Sequence, residues 1–153
     1  MAKKIKKEDV LKFLKKHFIM EIATISKNKP QASVVLYYID DNFNIYFETH
    51  KETYKSKNLL KNPSISLTIW EHSKMLVQAD GTTSVVKNKK RQHEIMDKLA
   101  ESASMDEGFW PPLFRTGGKK YILFKIKPNW IRALDLVEKN ITSKETPFVE
   151  IKF

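Results

Sequence analysis

The sequence predicts a mainly β protein, a small antiparallel barrel with covering helices. Three observations lead there. About six segments rich in β-branched and aromatic residues alternate apolar and polar positions. Consecutive hairpins appear without strict βαβ alternation, which argues against a parallel sheet. Gly81, following Asp80, interrupts a strand pattern, as expected where a sheet bulges or bends to curl into a barrel.

Taken in order, Glu8 to Phe18 carries Val10, Leu11, Leu14 and Phe18 with lysines between them, the pattern of an amphipathic helix covering a core. Phe18 to Ser26 reads as a strand, Lys27 to Pro30 as a turn, and Gln31 to Ile39 as a second strand. Asp40 to Asn42 turns the chain into a third strand, Phe43 to Glu48, completing a meander. Ser64 to Trp70 places Ile65, Leu67 and Ile69 on one face. Met75 to Val86 follows, broken by Asp80-Gly81, and Asn88 caps a helix running to about Ala103. Ser104 to Gly118 reads as an aromatic loop with Phe109, Trp110 and Phe114 around Pro111-Pro112. Two strands, Lys120 to Ile126 and Trp130 to Val137, precede a polar tail. Phe148 to Phe153 could add a short edge strand.

The most informative stretch is Ile45 to Pro63. Ile45-Tyr46-Phe47 favours a strand, Thr53 can cap a short helix carrying Leu59 and Leu60 on one face, and Asn62-Pro63 stops it. A helix start presents unpaired N–H groups and partial positive charge. Thr49 and Thr53 add hydroxyls and Lys55 a cation, so an anion such as phosphate would suit the place. An ordinary cap beside a solvated lysine fits the same residues.

Composition narrows the classes. The 153 residues are expected to form one domain, 1–153, with 41% hydrophobic residues, enough for a core. There is no cysteine, hence no disulfide or thiolate metal site. The charged start MAKKIKKEDV lacks a signal-peptide core, and no apolar run reaches the roughly 20 residues of a membrane span, so a soluble cytoplasmic protein is expected. A net charge of +10 invites nucleic acid, but only three of the 28 basic residues are arginine, and scattered lysine is commonly a solubilising surface. No metal site is expected: His17, His50, His72 and His93 lack paired zinc spacing. With four glycines and no GxGxxG or Walker sequence, a glycine-rich phosphate loop is excluded. No catalytic constellation stands out, so chemistry would have to come from a cofactor.

Over Phe18 to Leu136 the chain resembles the pyridoxamine 5′-phosphate oxidase-like, FMN-binding split-barrel family. The likeness rests on NKPQASVVLYYIDDNFNIYFET, THKETYKSKNLLKNPSISLTIW, VQADGTTSVV and KIKPNWIRALDL. Thr49, Thr53, Lys55 and Asn62-Pro63 fall at the family's Thr, Ser/Thr-Arg-Lys and Asn-Pro positions. The resemblance implies a six-stranded antiparallel split β-barrel, FMN as cofactor, and a homodimer with flavin at the interface. It implies that the backbone of Ser33, Val34 and Val35 passes the flavin, that Glu48 and Thr49 flank the ribityl phosphate, and that Thr53, Tyr54 and Lys55 hold the phosphate.

Two positions depart from the namesake oxidases: Ser33 and Tyr54 stand where arginines are expected. Losing two guanidinium forks weakens bidentate phosphate binding and argues against true pyridoxamine phosphate oxidase activity. The resemblance therefore points to an FMN-dependent oxidoreductase of undefined small-molecule substrate. Its rivals are a non-enzymatic flavin, deazaflavin or haem carrier, and a basic small-barrel nucleic-acid binder. Trp110, on the aromatic loop, is a further expected flavin or substrate contact, with packing onto its own barrel as the alternative.

Overall fold

The computed structural model describes residues 4–104, 120–137 and 147–153. Its elements are α1 (Lys7–Lys16), β1 (Ile19–Ser26), β2 (Lys29–Leu36), β3 (Tyr38–Ile39), β4 (Ile45–His50), α2 (Tyr54–Lys61), β5 (Ser64–Glu71), β6 (Met75–Val85), α3 (Lys89–Ser104), β7 (Tyr121–Asp135) and β8 (Val149–Ile151). All strand pairings are antiparallel, in the order β2-β1-β5-β6-β7-β4-β3 with β8 beside β7. The protein is thus a mainly antiparallel split β-barrel with a few helices, as the sequence predicts.

Closure of the sheet follows from one break. Gln31 to Ile39, expected as one strand, divides at Tyr37. β2 pairs with β1 at one end of the sheet and β3 with β4 at the other, so a single residue joins the two ends. Tyr37 is 1% exposed, and its hydroxyl donates to the Leu14 carbonyl at 2.6 Å. Its own N–H donates to the Phe18 carbonyl at 2.8 Å. Burial pushes the phenol pKa upward, which keeps it a neutral donor. These contacts tie the seam to α1, whose Val10, Phe13 and Leu14 enter the main core.

Tight local geometry completes the meander. The β1–β2 hairpin turns on Lys27 and Asn28, both with positive φ (48° and 64°), the conformation that matches strand twist in two-residue hairpins. Pro30 then lies inside β2, tolerated because β2 ends the strand order. In the next turn, the Asp40 carboxylate accepts from the backbone N–H groups of Asn42 and Asn44 at 2.9 and 3.0 Å.

The two strands expected at Lys120 to Ile126 and Trp130 to Val137 are one long strand, β7. Pro128, between the two expected strands, sits opposite Gly81 where the β6–β7 register shifts. An irregular ladder tolerates a residue without an N–H. The described strands number eight rather than six: of the seven segments named from the sequence one splits and two fuse, which leaves seven, and the short edge at the end of the chain adds β8.

Inward-facing residues of β1, β5, β6 and β7, including Ile22, Leu67, Val77 and Ile131, form the main core. α3 covers the other side of β4 and β7, packing Ile95 and Leu99 against Tyr46 and Leu123. Asn88 caps it, accepting from the Arg91 N–H at 2.9 Å, and Arg91 donates to the Tyr46 hydroxyl at 3.2 Å. None of the described helices is long and apolar enough to cross a membrane.

Gly81 tests the bulge. A Cβ there would lie 2.8 Å from both Ile126 Cγ2 and the Lys127 carbonyl oxygen. Since the carbonyl belongs to the backbone of β7, Gly81→Ala is expected to destabilise the protein by about 1–3 kcal/mol, read from urea denaturation. An unchanged midpoint would mean the two strands part freely at this point.

Candidate functional site

β4 hands the chain to α2 through a turn closed by hydroxyls. Thr53 caps α2 with extended backbone (φ −70°, ψ 152°), and its oxygen accepts from the Ser56 N–H at 3.4 Å. The Thr53 hydroxyl donates to the His50 carbonyl at 2.9 Å, and the buried Ser56 hydroxyl donates to the same carbonyl at 2.9 Å. Thr49 Oγ1 lies 3.3 Å from Thr53 Oγ1. With the Thr53 proton directed at His50, Thr49 is the donor in that pair. The hydroxyls therefore shape the turn, leaving the first-turn N–H groups of Tyr54 and Lys55 without intrahelical acceptors.

Lys55 is half-buried beside this helix start. Burial lowers its pKa, because removing water disfavours the ammonium form. Among the described residues no carboxylate forms an ion pair with it. Its neighbour Lys57, by contrast, is exposed and pairs with Glu52 at 3.2 Å.

The other expected residues are distributed unevenly. Ser33, Val34 and Val35 lie on β2, opposite Ile22, Glu21 and Met20 of β1. Val34 is 65% exposed and Val35 buried. Because β2 ends the strand order, alternate backbone groups of this segment face away from β1. β2 also approaches β4, and α2 packs on β1, bringing these elements into one region. Glu48 and Thr49 are both buried but alternate across β4: Thr49 shares the side of Phe47, whereas Glu48 shares that of Tyr46. Trp110 and its loop lie outside the described residues.

Sequence reasoning missed the residue that sets the position of α2. Asn58 is 5% exposed and donates to Thr24 Oγ1 at 3.0 Å and to Gln31 Oε1 at 2.6 Å. One amide thus fastens α2 to both β1 and β2. The expected pairing of Leu59 and Leu60 on one face fails. Leu59 is 3% exposed and Leu60 is 56% exposed, since consecutive helical residues diverge by roughly 100°. No local signal marks Asn58 as inward-pointing: Tyr54, one turn before it on the same helix face, is 76% exposed.

A cleft of about 320 Å³ runs beside the same helix. α2 contributes Tyr54, Lys57, Asn58 and Lys61, and the end of β1 with its turn contributes Ile25, Lys27 and Asn28. Among the described residues, no group of three or more His, Asp or Glu side chains is arranged to hold a metal ion.

Comparison with known proteins places this geometry in context. A model of the pyridoxamine 5′-phosphate oxidase family matches residues 7–135. General stress protein 26 of Bacillus subtilis is 25% identical over 142 residues, covering 91% of this chain and 95% of that protein. A pyridoxamine 5′-phosphate oxidase-related, FMN-binding protein from Nostoc punctiforme superposes with a TM-score of 0.64 at 11% identity, over 98% of this chain and 91% of its own. The haem storage protein HutZ of Vibrio cholerae superposes with a TM-score of 0.64 at 14% identity, over 80% and 89% of the two chains. At these identities the solved structures establish a shared fold.

The Asn58 bridge makes its own prediction. Asn58→Ala would leave the buried Thr24 and half-buried Gln31 side chains without this donor. It is expected to cost about 1–3 kcal/mol in urea unfolding. A loss within experimental error would show that apolar packing of Leu59 alone seats α2.

Proposed function

Since the chain belongs to the pyridoxamine 5′-phosphate oxidase family, we propose that it is an FMN-binding protein that acts as a flavin-dependent oxidoreductase on a small molecule. The family match over residues 7–135 supports the cofactor class. The observation that carries the reading is Lys55, a half-buried cation beside a capped helix start. Burying a cation costs free energy unless an anion accompanies it, and a phosphate at the first-turn N–H groups supplies that anion.

In this reading Thr49 and Thr53 hold the turn, and Tyr54 and Lys55 offer N–H groups and the ammonium to the phosphate. The edge of β2 at Ser33, Val34 and Val35 offers backbone donors and acceptors to the ring system. Glu48 and Thr49 flank the ribityl phosphate from β4, their side chains on opposite faces of the strand. Bound flavin supplies two-electron chemistry, and the protein positions it and excludes water. The residues fit this group, with Ser33 and Tyr54 replacing the guanidinium forks expected from the namesake oxidases. The substrate is accordingly a different small molecule.

The reading includes a single domain over residues 1–153 and a homodimer. Val34 (65% exposed) and Trp70 (52%) lie on the side of β2 and β5 opposite the core, whereas α3 covers that side of the sheet at β4 and β7. A second copy would bury them and close a cleft that one barrel leaves shallow. Sedimentation of the flavin-loaded protein is expected to give twice the 17.9 kDa chain mass. A flavin-loaded monomer overturns this part.

Haem carriage is the rival reading, drawn from the shared fold of HutZ. His17 does not favour it as an axial ligand, because both ring nitrogens are engaged, with the Phe13 carbonyl at 2.7 Å and Glu71 at 2.9 Å. A flavin spectrum in the purified protein supports the proposal, and a Soret band the rival.

Two expectations follow for Lys55. Lys55→Ala is expected to weaken FMN binding by about 1–3 kcal/mol, the usual scale for losing a charge-assisted hydrogen bond. The pH dependence has a definite sign. The free-state pKa lies below the ordinary 10.5, and a bound phosphate raises it, so FMN binding takes up a proton. Affinity is therefore steady below that depressed value and falls as pH rises from it towards the raised value of the bound state. Lys55→Arg, which stays charged, is expected to flatten the profile. Isothermal titration at several pH values would refute the assignment if wild type and Lys55→Arg kept the same slope.

A further inference from the structure

The cleft beside α2 begins at the helix start where the flavin phosphate is proposed to sit. Tyr54, which follows the capping Thr53, is 76% exposed and lines its mouth. From there the wall follows the helix through Lys57, Asn58 and Lys61 to Asn62. That is one face of α2, positions i, i+3, i+4, i+7 and i+8. At 1.5 Å per residue, the eight-residue helix gives the cleft a length of roughly 12 Å. The opposite wall is the end of β1 and its turn, with Ile25 40% exposed and Lys27 and Asn28 at the tip.

Its chemistry is one-sided. Three ammonium groups, Lys27, Lys57 and Lys61, line it and, among the described residues, no carboxylate does. Among the described residues only Lys57 of the three is in an ion pair, with Glu52 at 3.2 Å, and both partners are mostly exposed, so the pair opens at little cost. Ile25 and the Tyr54 ring add apolar and aromatic surface, and the buried Asn58 amide forms a floor fastened to Thr24 and Gln31. Like charges left together repel, and an anion between them removes that repulsion. An aromatic face beside a row of cations suits a phosphate that carries a planar base.

Resting on the placement of the flavin phosphate at the start of α2, we propose that this cleft takes a second phosphate and an attached nucleoside. The chain then binds flavin adenine dinucleotide in preference to the mononucleotide. The first phosphate stays at the Tyr54 and Lys55 N–H groups, the second lies among Lys57, Lys61 and Lys27, and the base rests on Tyr54 and Ile25.

The test is a set of fluorescence titrations at low salt with riboflavin, FMN, FAD and AMP. They would use wild type and the double variant Lys27→Ala/Lys61→Ala. Both lysines are exposed, so the variant is expected to fold, and its unfolding midpoint checks this. Wild type is expected to bind FAD about tenfold more tightly than FMN, a difference near 1.4 kcal/mol. The double variant should lose that preference while keeping FMN affinity within about twofold, because exposed charges act weakly over distance. Equal wild-type affinity for FMN and FAD overturns the proposal and leaves the FMN reading standing. Parallel weakening of FMN and FAD in the variant also overturns it, by making the lysines a general attraction for anions. AMP binding that flavin does not displace identifies a separate nucleotide site and overturns the tethered arrangement. Failure of wild type to bind any flavin overturns the FMN reading itself.

Discussion

Closure of the sheet at Tyr37 is the constraint on which the remaining structure depends. One residue separates a strand at one end of the sheet from a strand at the other. At that point the backbone would lose its ladder partners, and an unpaired buried N–H is costly. The cost is met locally: the Tyr37 N–H reaches the Phe18 carbonyl and its hydroxyl reaches Leu14. The contact to α1 helps seat this helix, whose Val10, Phe13 and Leu14 face the core while Lys12, Lys15 and Lys16 stay exposed. Closure also brings β2 towards β4, and with it the candidate site.

The site is built from a few short connections on that frame. β4 delivers Thr49, the hydroxyl-closed turn delivers Thr53, and Asn58 fixes α2 against β1 and β2. Each hydrogen bond contributes about 1 kcal/mol, so the geometry is the product of several modest interactions. Lys55 is different in kind. Its half-burial without a paired carboxylate among the described residues is unfavourable in the free protein, and relief by a bound anion is a source of affinity. Strong positive charge elsewhere adds long-range attraction for the same ligands.

Much of this was legible in the sequence, and the reasons are local. Alternation in Ser64 to Trp70 and in Met75 to Val86 fixed those strands because one face is buried. Thr53 and Asn62-Pro63 bounded α2, and Asn88 began α3, because capping chemistry acts within three or four residues. The errors are nonlocal. Nothing near Tyr37 reports that its flanking strands belong to opposite ends of the sheet. Pro128 falls between two expected strands until Gly81, far away in sequence, is placed across from it. Asn58 reads as a polar surface residue until Thr24 and Gln31 are brought beneath it. The lysine-lined cleft likewise exists only once the β1–β2 turn meets α2.

The central claim is that a flavin phosphate sits at the start of α2. Amide-resolved NMR of the isotope-labelled protein, titrated in parallel with FMN and riboflavin, addresses it most directly. Both ligands present the same ring to β2, so both should shift the amides of Ser33, Val34 and Val35. FMN should additionally shift the Tyr54 and Lys55 amides strongly downfield, as direct donation to a phosphate does, and riboflavin should leave those two nearly unmoved. Identical perturbations at Tyr54 and Lys55 by both ligands, or none by either, would contradict the account.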